Sequence, residues 1–353
     1  MKTIEEMVQV LKNYDGEPVT FMEVCGTHTG AIATMGIKSL LSSKISLVSG
    51  PGCPVCVTVP EYIDALIYLA HKENTCVVSF GDMLRVPGTA QCLKEAMAEG
   101  ARVTMVYSPF EVLTMAREHP EITYVFAAVG FETTTPIYAL MLKEVMEHNI
   151  VNLKLLTSLK TMPEAIAYIC RENTRIDGFI APGHVCTITG SKSFTALAKS
   201  FKLPFVVAGF DAEQIISALY LLLKKKGTSS VHNLYQEVVL EDGNKCARDL
   251  VDTFFEPCDV SWRGIGAIPG SGLKVRREYI QFTMEEEIRD IIKTVSDKKP
   301  IESACICSKI LLGKALPTDC PLFVKGICTP EHPVGACMVS MEGTCNCYKR
   351  GVC

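Results

Sequence analysis

No stretch of this 353-residue chain is long and apolar enough to cross a bilayer; the most apolar helical pattern, Ile215 to Leu223, falls far short of the ~20 residues a crossing needs. The N-terminus, Met1-Lys-Thr-Ile-Glu-Glu-Met-Val, alternates charge with apolar residues and lacks the unbroken apolar run of a signal peptide. Basic residues are dispersed. Their one short run, Lys224-Lys225-Lys226, falls at a helix end, where cations suit the helix dipole, so no nucleic-acid surface is expected. There is no exact repeat and no low-complexity linker. A net charge of −4 and 48% hydrophobic residues leave a chain able to bury a large core in two or three domains. The expectation is a soluble, cytoplasmic protein in a reducing compartment.

What the chain has in quantity is cysteine. Eight of the 17 fall in the last 49 residues, as Cys305-Ile-Cys307, Cys320, Cys328, Cys337, Cys345-Asn-Cys347 and Cys353. Thiolates are soft ligands for iron–sulfur clusters and zinc, and cysteines spaced through turns can converge on one centre without a large core. The alternatives are a disulfide-stapled tail and a scatter of buried thiols. The odd count and the reducing compartment weigh against disulfides. Spacing alone does not choose between zinc and iron–sulfur.

Upstream of the tail, short β-branched runs end repeatedly in a glycine-bearing turn and alternate with helical patterns. Val19 to Val24 precedes Cys25-Gly26, Ile45 to Val48 precedes Gly50-Pro-Gly52, and Cys76 to Phe80 precedes Gly81-Asp82. Tyr124 to Val129, Phe179 to Ala181 and Phe205 to Ala208 precede Gly130-Phe-Glu132, Pro182-Gly-His184 and Gly209-Phe-Asp211. Strand, glycine turn, helix, strand is the pattern of a parallel α/β fold. The expectation is two Rossmann-like lobes, residues 1–115 and 116–228, followed by a C-terminal domain, 229–353, that loosens into Gly/Pro-rich turns around Trp262 to Gly272 and ends in the cysteine-rich tail, a metal or iron–sulfur module. Ligands of such sheets gather beyond the carboxyl ends of the strands, so Cys25, His28, Cys53, Cys56, Asp82, Glu132, His184 and Asp211 are candidates to meet.

Two motifs carry the sharpest chemistry. In Cys25-Gly-Thr-His-Thr29 a cysteine at a strand-to-helix turn can sit by a positive helix N-terminus, which favours the nucleophilic or metal-binding thiolate. His28 is then a second ligand or a proton carrier, against the plainer reading of a buried thiol with a hydrogen-bonded histidine. In Gly50-Pro-Gly-Cys53-Pro-Val-Cys56 the C-x-x-C spacing suits a redox dithiol or half of a zinc site.

These motifs, with Phe80 to Gly88, Gly130-Phe-Glu-Thr-Thr134, Ala181-Pro-Gly-His-Val185, Trp262-Arg-Gly-Ile-Gly266 and Gly335 to Gly343, resemble the hydrogenase maturation protein HypD family nearly end to end. The resemblance implies a scaffold, working with a HypC-like chaperone, on which the Fe(CN)2CO group of [NiFe] hydrogenase is assembled before transfer to the large subunit. Cyanide would come from a HypE-like donor. It implies Cys25 as a ligand of that iron, with His28 beside it, and Cys53 and Cys56 as a redox-active dithiol. It also implies a [4Fe–4S] cluster whose family spacing selects Cys305, Cys320, Cys328 and Cys345, with Cys337 the alternative ligand; Cys307, Cys347 and Cys353 remain extras.

Cluster and dithiol together would form an electron path, single electrons at one end and a pair at the other. Asp82, Glu132 and His184 are weaker candidates for proton transfer or hydrogen bonding around the iron's ligands, and for Asp82 helix capping is the plainer reading. Such a chain is a redox-active assembly scaffold more than a turnover enzyme. Two rival readings stay open: a cluster-dependent dithiol/disulfide oxidoreductase, using Cys53 and Cys56 without Cys25, and a zinc-stabilised interaction module.

Overall fold

A computed structural model describes residues 2–172, 175–289 and 304–351; Cys353 lies outside the described residues. The fold is α/β, built on two sheets. The first has the order β2-β1-β7-β8-β9 and is parallel throughout: β1 is Val19–Glu23, β2 Ile45–Ser49, β7 Gly178–Ala181, β8 Phe205–Val207 and β9 Val231–Asn233. The second has the order β10-β11-β6-β5-β3-β4, from β3 Thr75–Ser79, β4 Val103–Met105, β5 Thr123–Gly130, β6 Leu153–Lys160, β10 Phe255–Trp262 and β11 Gly266–Val275. Its β3 to β6 run parallel, and β10 and β11 add an antiparallel edge.

Strand composition explains this layering. β5 is buried from Tyr124 to Gly130, as a central strand covered on both faces must be. Helices supply the covers: Pro60–Ala70 starts on a proline at N1 and buries Ile63, Leu66 and Ala70, and its Tyr62 hydroxyl donates to the Leu156 carbonyl at 2.7 Å.

The chain does not fill one lobe and then the next. Residues 1–115, expected as one lobe, divide between the sheets, with β1 and β2 in the first and β3 and β4 in the second. Residues beyond 228 likewise give β9 to the first sheet and the β10–β11 hairpin to the second. That hairpin occupies the segment expected as Gly/Pro-rich turns. Pro257 is tolerated because β10 is the edge strand and Pro269 because it falls where the β10–β11 register shifts, and Gly272 is required, since a Cβ there would fall 2.3 Å from Val260. Pairing with β6 at Gly272–Lys160 and Leu273–Leu159 overrides the weak local propensity.

The cysteine tail, 304–351, is a string of short helices. Thr344–Arg350 lies against Gly26–Thr34, the first helix after β1, where a Cβ on Gly351 would stand 2.6 Å from Ala33. Arg85, after β3, grips the tail with Nη1 on the Pro330 carbonyl and Nη2 on that of Val339, both at 3.1 Å. Among the described residues no helix is long and apolar enough to cross a membrane.

Candidate functional site

In the first sheet β1 leads to β2 on one side while β7, β8 and β9 extend on the other, so β1 and β7 flank the point where the strand order reverses. Crevices at such points are the natural ligand sites of open α/β sheets. Cys25 stands there. It is the N-cap of the helix Gly26–Thr34, in extended backbone with φ −144° and ψ 121°. Burial pushes the Cys25 thiol up to about 12; the amides of His28 and Thr27 pull the other way without offsetting it, and Glu23 and Glu342 add to the rise. The helix N-terminus is thus present as expected, but desolvation outweighs it, and an incoming metal must displace the proton.

The backbone around Cys25 leaves no spare room. Gly26 N–H donates to the Gly52 carbonyl at 3.1 Å, and a Cβ on Gly52 would lie 2.5 Å from the Cys25 nitrogen, so the Gly-Pro-Gly loop passes where only glycine fits. Beneath it Glu23 is buried, accepting the Cys25 amide at 3.0 Å and the Thr29 hydroxyl at 2.5 Å. Burial raises its carboxyl to about 7, against hydrogen bonds from Ser49, Thr29 and Cys25.

A cleft of about 330 Å³ opens over Cys25. The first sheet contributes Thr27, Pro54 and His184; the turn after β5 in the second sheet contributes Phe131, Thr133 and Thr134; the tail contributes Glu342. The Thr27 hydroxyl donates to Glu342 Oε1 at 2.8 Å and lies 3.5 Å from His184 Nδ1. All three parts of the molecule therefore meet at one thiol.

Behind this cleft the sulfurs form a chain. Cys53 and Cys56 are buried, and the Cys56 thiol faces those of Cys53 and Cys337. Cys337 in turn meets Cys307 and Cys345, and the Cys305 and Cys307 sulfurs are 3.1 Å apart. The Cys337 contact pulls the Cys56 thiol down, but the Cys53 contact, burial and neighbouring thiols together hold it well above its ordinary range. Cys305 is pushed up by Cys307 beside it and then by burial. Gly343 sits where a Cβ would fall 2.3 Å from the Cys337 carbonyl and 3.1 Å from the Cys56 sulfur. The close approach of the tail to the Cys53-Pro-Val-Cys56 loop depends on that missing side chain.

Residues 1–351 match the family model HypD, described as the hydrogenase formation hypA family. The chain belongs to the HypD family. A putative hydrogenase expression/formation protein of Methanocaldococcus jannaschii is 39% identical, covering 98% of this chain and 95% of the relative. Hydrogenase maturation factors HypD of Cupriavidus necator and Azotobacter vinelandii are 37% and 38% identical over 94% and 92% of this chain, and 89% and 87% of theirs.

Within this HypD-family chain the candidate residues do not all converge. Cys25 and His184 line the cleft, and Cys53 and Cys56 lie behind it. His28 is fully buried with Nε2 at 2.9 Å from the Gly209 carbonyl, and its Nδ1 has no hydrogen-bond partner among the described residues. Burial lowers its pKa to about 4, so the ring is neutral. His28 and His184 pack against Phe210, with centroids 4.7 and 4.3 Å away. Glu132 is buried next to Phe131, where Oε1 accepts the Met162 amide at 2.9 Å and Oε2 has no hydrogen-bond partner among the described residues. Asp82 stands apart, half-exposed and 3.9 Å from Arg85, and Asp211 caps the helix Ala212–Lys225 through Gln214 N–H at 2.8 Å.

Sequence reasoning passed over Thr27, Thr133, Thr134, Glu342 and Phe210 as site residues. Glu342 carried one signal, an acidic residue next to a glycine in a cysteine-rich tail, but nothing in the sequence tells which lobe it reaches.

The tail's donor set suits an iron–sulfur cluster. The Cys328 sulfur receives the Val334 amide at 3.3 Å and also faces the Gly335 amide, N–H···S bonds of the kind that hold cluster thiolates. A Cβ on Gly335 would stand 2.7 Å from the Cys305 sulfur and 2.6 Å from that of Cys307, a cradle only glycine leaves open. Cys345 belongs to the same group of sulfurs, and Cys320 is buried at the start of the helix Pro321–Val324. Among the described residues no three of His, Cys, Asp and Glu are set to hold a single metal ion. Cys347 faces elsewhere, its sulfur donating to the Met341 carbonyl at 3.1 Å beside the Gly26–Thr34 helix.

Proposed function

We propose that this chain serves hydrogenase maturation as the scaffold on which an iron carrying cyanide and carbon monoxide is assembled. The observation that carries the reading is the convergence of two sheets and the tail on one buried thiol, Cys25, beneath a polar cleft, with a continuous file of sulfurs behind it. A small chaperone partner of the HypC type would complete the iron's thiolate ligation, a HypE-type donor would supply cyanide, and the iron would leave for the hydrogenase large subunit by thiolate exchange.

Each residue's part follows from its surroundings. Cys25 holds the iron as cargo after losing its proton. His28 orients: its hydrogen bond to Gly209 ties the helix Gly26–Thr34 to the end of β8, so the thiol is held still. His184, Thr27, Thr133 and Thr134 offer hydrogen bonds to diatomic ligands in the cleft, and Glu132 is a proton reservoir below it. Cys53 and Cys56 release two electrons and two protons on closing to a disulfide. Cys305, Cys320, Cys328 and Cys345 would hold a [4Fe–4S] cluster, which when bound supplies one-electron chemistry. Cys337 and Cys307, lying between that set and Cys56, connect the two.

The test is anaerobic purification with and without the HypC-type partner, followed by iron, sulfide and zinc analysis and an infrared spectrum in the cyanide and carbonyl region. Iron and sulfide in the isolated chain, with further iron and diatomic bands only in the complex, is the expected result. Zinc without sulfide or diatomic bands would sink it in favour of an interaction module. Turnover of generic disulfides, undiminished on losing Cys25, would favour a dithiol oxidoreductase.

A further inference from the structure

The turn Trp262-Arg263-Gly264 joins the two halves of the sulfur file. Arg263 N–H donates to the Val57 carbonyl at 2.9 Å, one residue beyond Cys56. Gly264, at φ +72°, packs on the residue after Cys307: a Cβ there would stand 3.0 Å from Ser308 Cβ. The Arg263 side chain is pinned by Nη2 on the Pro87 carbonyl, while Nη1 is shut off from solvent with no hydrogen-bond partner among the described residues. The groups whose charge it meets are Cys307, Cys337, Glu61 and Cys305.

A guanidinium stays cationic in a protein, and leaving one of its N–H groups buried and unpaired is costly unless negative charge lies close by. Neutral thiols are weak partners for it. Thiolate and sulfide held on iron are strong ones, and fixed charge around such a centre is among the features that set its potential.

We propose that Arg263 is a positioning residue, the built-in countercharge of the tail's iron–sulfur site and of the neighbouring Cys307 and Cys337 sulfurs, which sets the potential at which that site takes up an electron. The inference rests on the reading that the tail carries a cluster. The step concerned adds one electron to the centre; no bond is made or broken and no proton moves. A fixed cation favours the state with the extra negative charge, so removing it disfavours reduction. Glu61, in the first turn of Pro60–Ala70, opposes Arg263, and removing its charge favours reduction.

The experiment is a mediated redox titration, with dithionite as the one-electron reductant, on anaerobically purified full-length wild type, Arg263→Gln, Arg263→Lys and Glu61→Gln. Reduction is followed by electron paramagnetic resonance, with iron and sulfide counted per chain. At the wild-type midpoint, Arg263→Gln is expected to lower the ratio of reduced to oxidised centre about tenfold, a shift of about 59 mV for one electron. Arg263→Lys should stay within about threefold of wild type, and Glu61→Gln should move the ratio upward. An unmoved midpoint in Arg263→Gln at equal iron and sulfide overturns the assignment and leaves the cluster reading standing. Should Arg263→Gln lose its iron, Glu61→Gln decides: a raised ratio supports the countercharge and an unchanged one overturns it. A wild type without iron and sulfide overturns both readings.

Discussion

Cys25, Cys56, Cys337 and Cys345 are buried alike and Cys307 is half-buried, yet Cys25 and the sulfurs behind it keep different company. Cys25 is a single thiol facing amides, hydroxyls and a carboxylate across an open cleft, whereas Cys56, Cys337, Cys307 and Cys345 face one another. Burial holds the Cys25 thiol protonated, and the Cys53 contact with burial outweighs the Cys337 contact and does the same for Cys56, so neither cysteine is reactive by virtue of a low pKa alone. The difference lies in what each can do once deprotonated. A solitary thiolate in a polar cleft can hold and release a ligand, while sulfurs in contact can exchange bonds and electrons.

The comparison breaks most sharply at Cys25. Cys25→Ala is expected to abolish retention of iron bearing cyanide and carbonyl bands in the HypC-type complex while leaving the tail's visible absorbance unchanged; loss of both would mean that cleft and file are one site. A second strike falls on the file. Gly343→Ala forces a methyl against the Cys337 carbonyl and the Cys56 sulfur, and a loss of about 1–3 kcal/mol is expected in thermal or denaturant unfolding, with Cys25 iron binding reduced only through the displaced Glu342.

Glu132 offers a subtler separation. Folding raises its carboxyl from 4.5 to about 7 through burial, so the folded protein binds a proton that the unfolded chain releases between those values. Its contribution to stability therefore falls as pH rises through that window and levels off above about 7. Glu132→Gln should melt increasingly above wild type across the same range, by an amount on the order of 3 kcal/mol at most; a pH-independent difference would remove Glu132 as a proton reservoir. The smallest effect belongs to a residue outside both regions. Asp82→Asn should change stability by no more than about 0.5 kcal/mol and leave the infrared bands in place, because its pair with Arg85 is exposed.

The parts of this design legible in the sequence are those carried by local chemistry. Strand runs ending in glycine turns placed Cys25, Glu132 and His184 at strand ends, and the clustered cysteines marked the tail. What local pattern cannot carry is which strand lies beside which. β1 pairs with β7 across more than a hundred residues, so the lobes interleave where a linear reading sets them in succession. The hairpin β10–β11 was hidden by its own glycines and prolines, which read as turns until β6 supplies a partner. Arg263 and Glu342 were obscured for the same reason: each sits in a quoted motif, but what it faces is decided by chain segments far away.

The interleaving has a consequence for how the protein comes into being. During synthesis β1, β2 and Cys25 leave the ribosome long before β7, the strand that completes their side of the cleft, and Glu342 arrives later still. A partial chain thus displays the cysteine without the enclosure around it. The segment that carries Glu342 also brings Cys307, Cys337 and Cys345, so the Cys25 thiol is fully enclosed only in a chain that already carries those sulfurs.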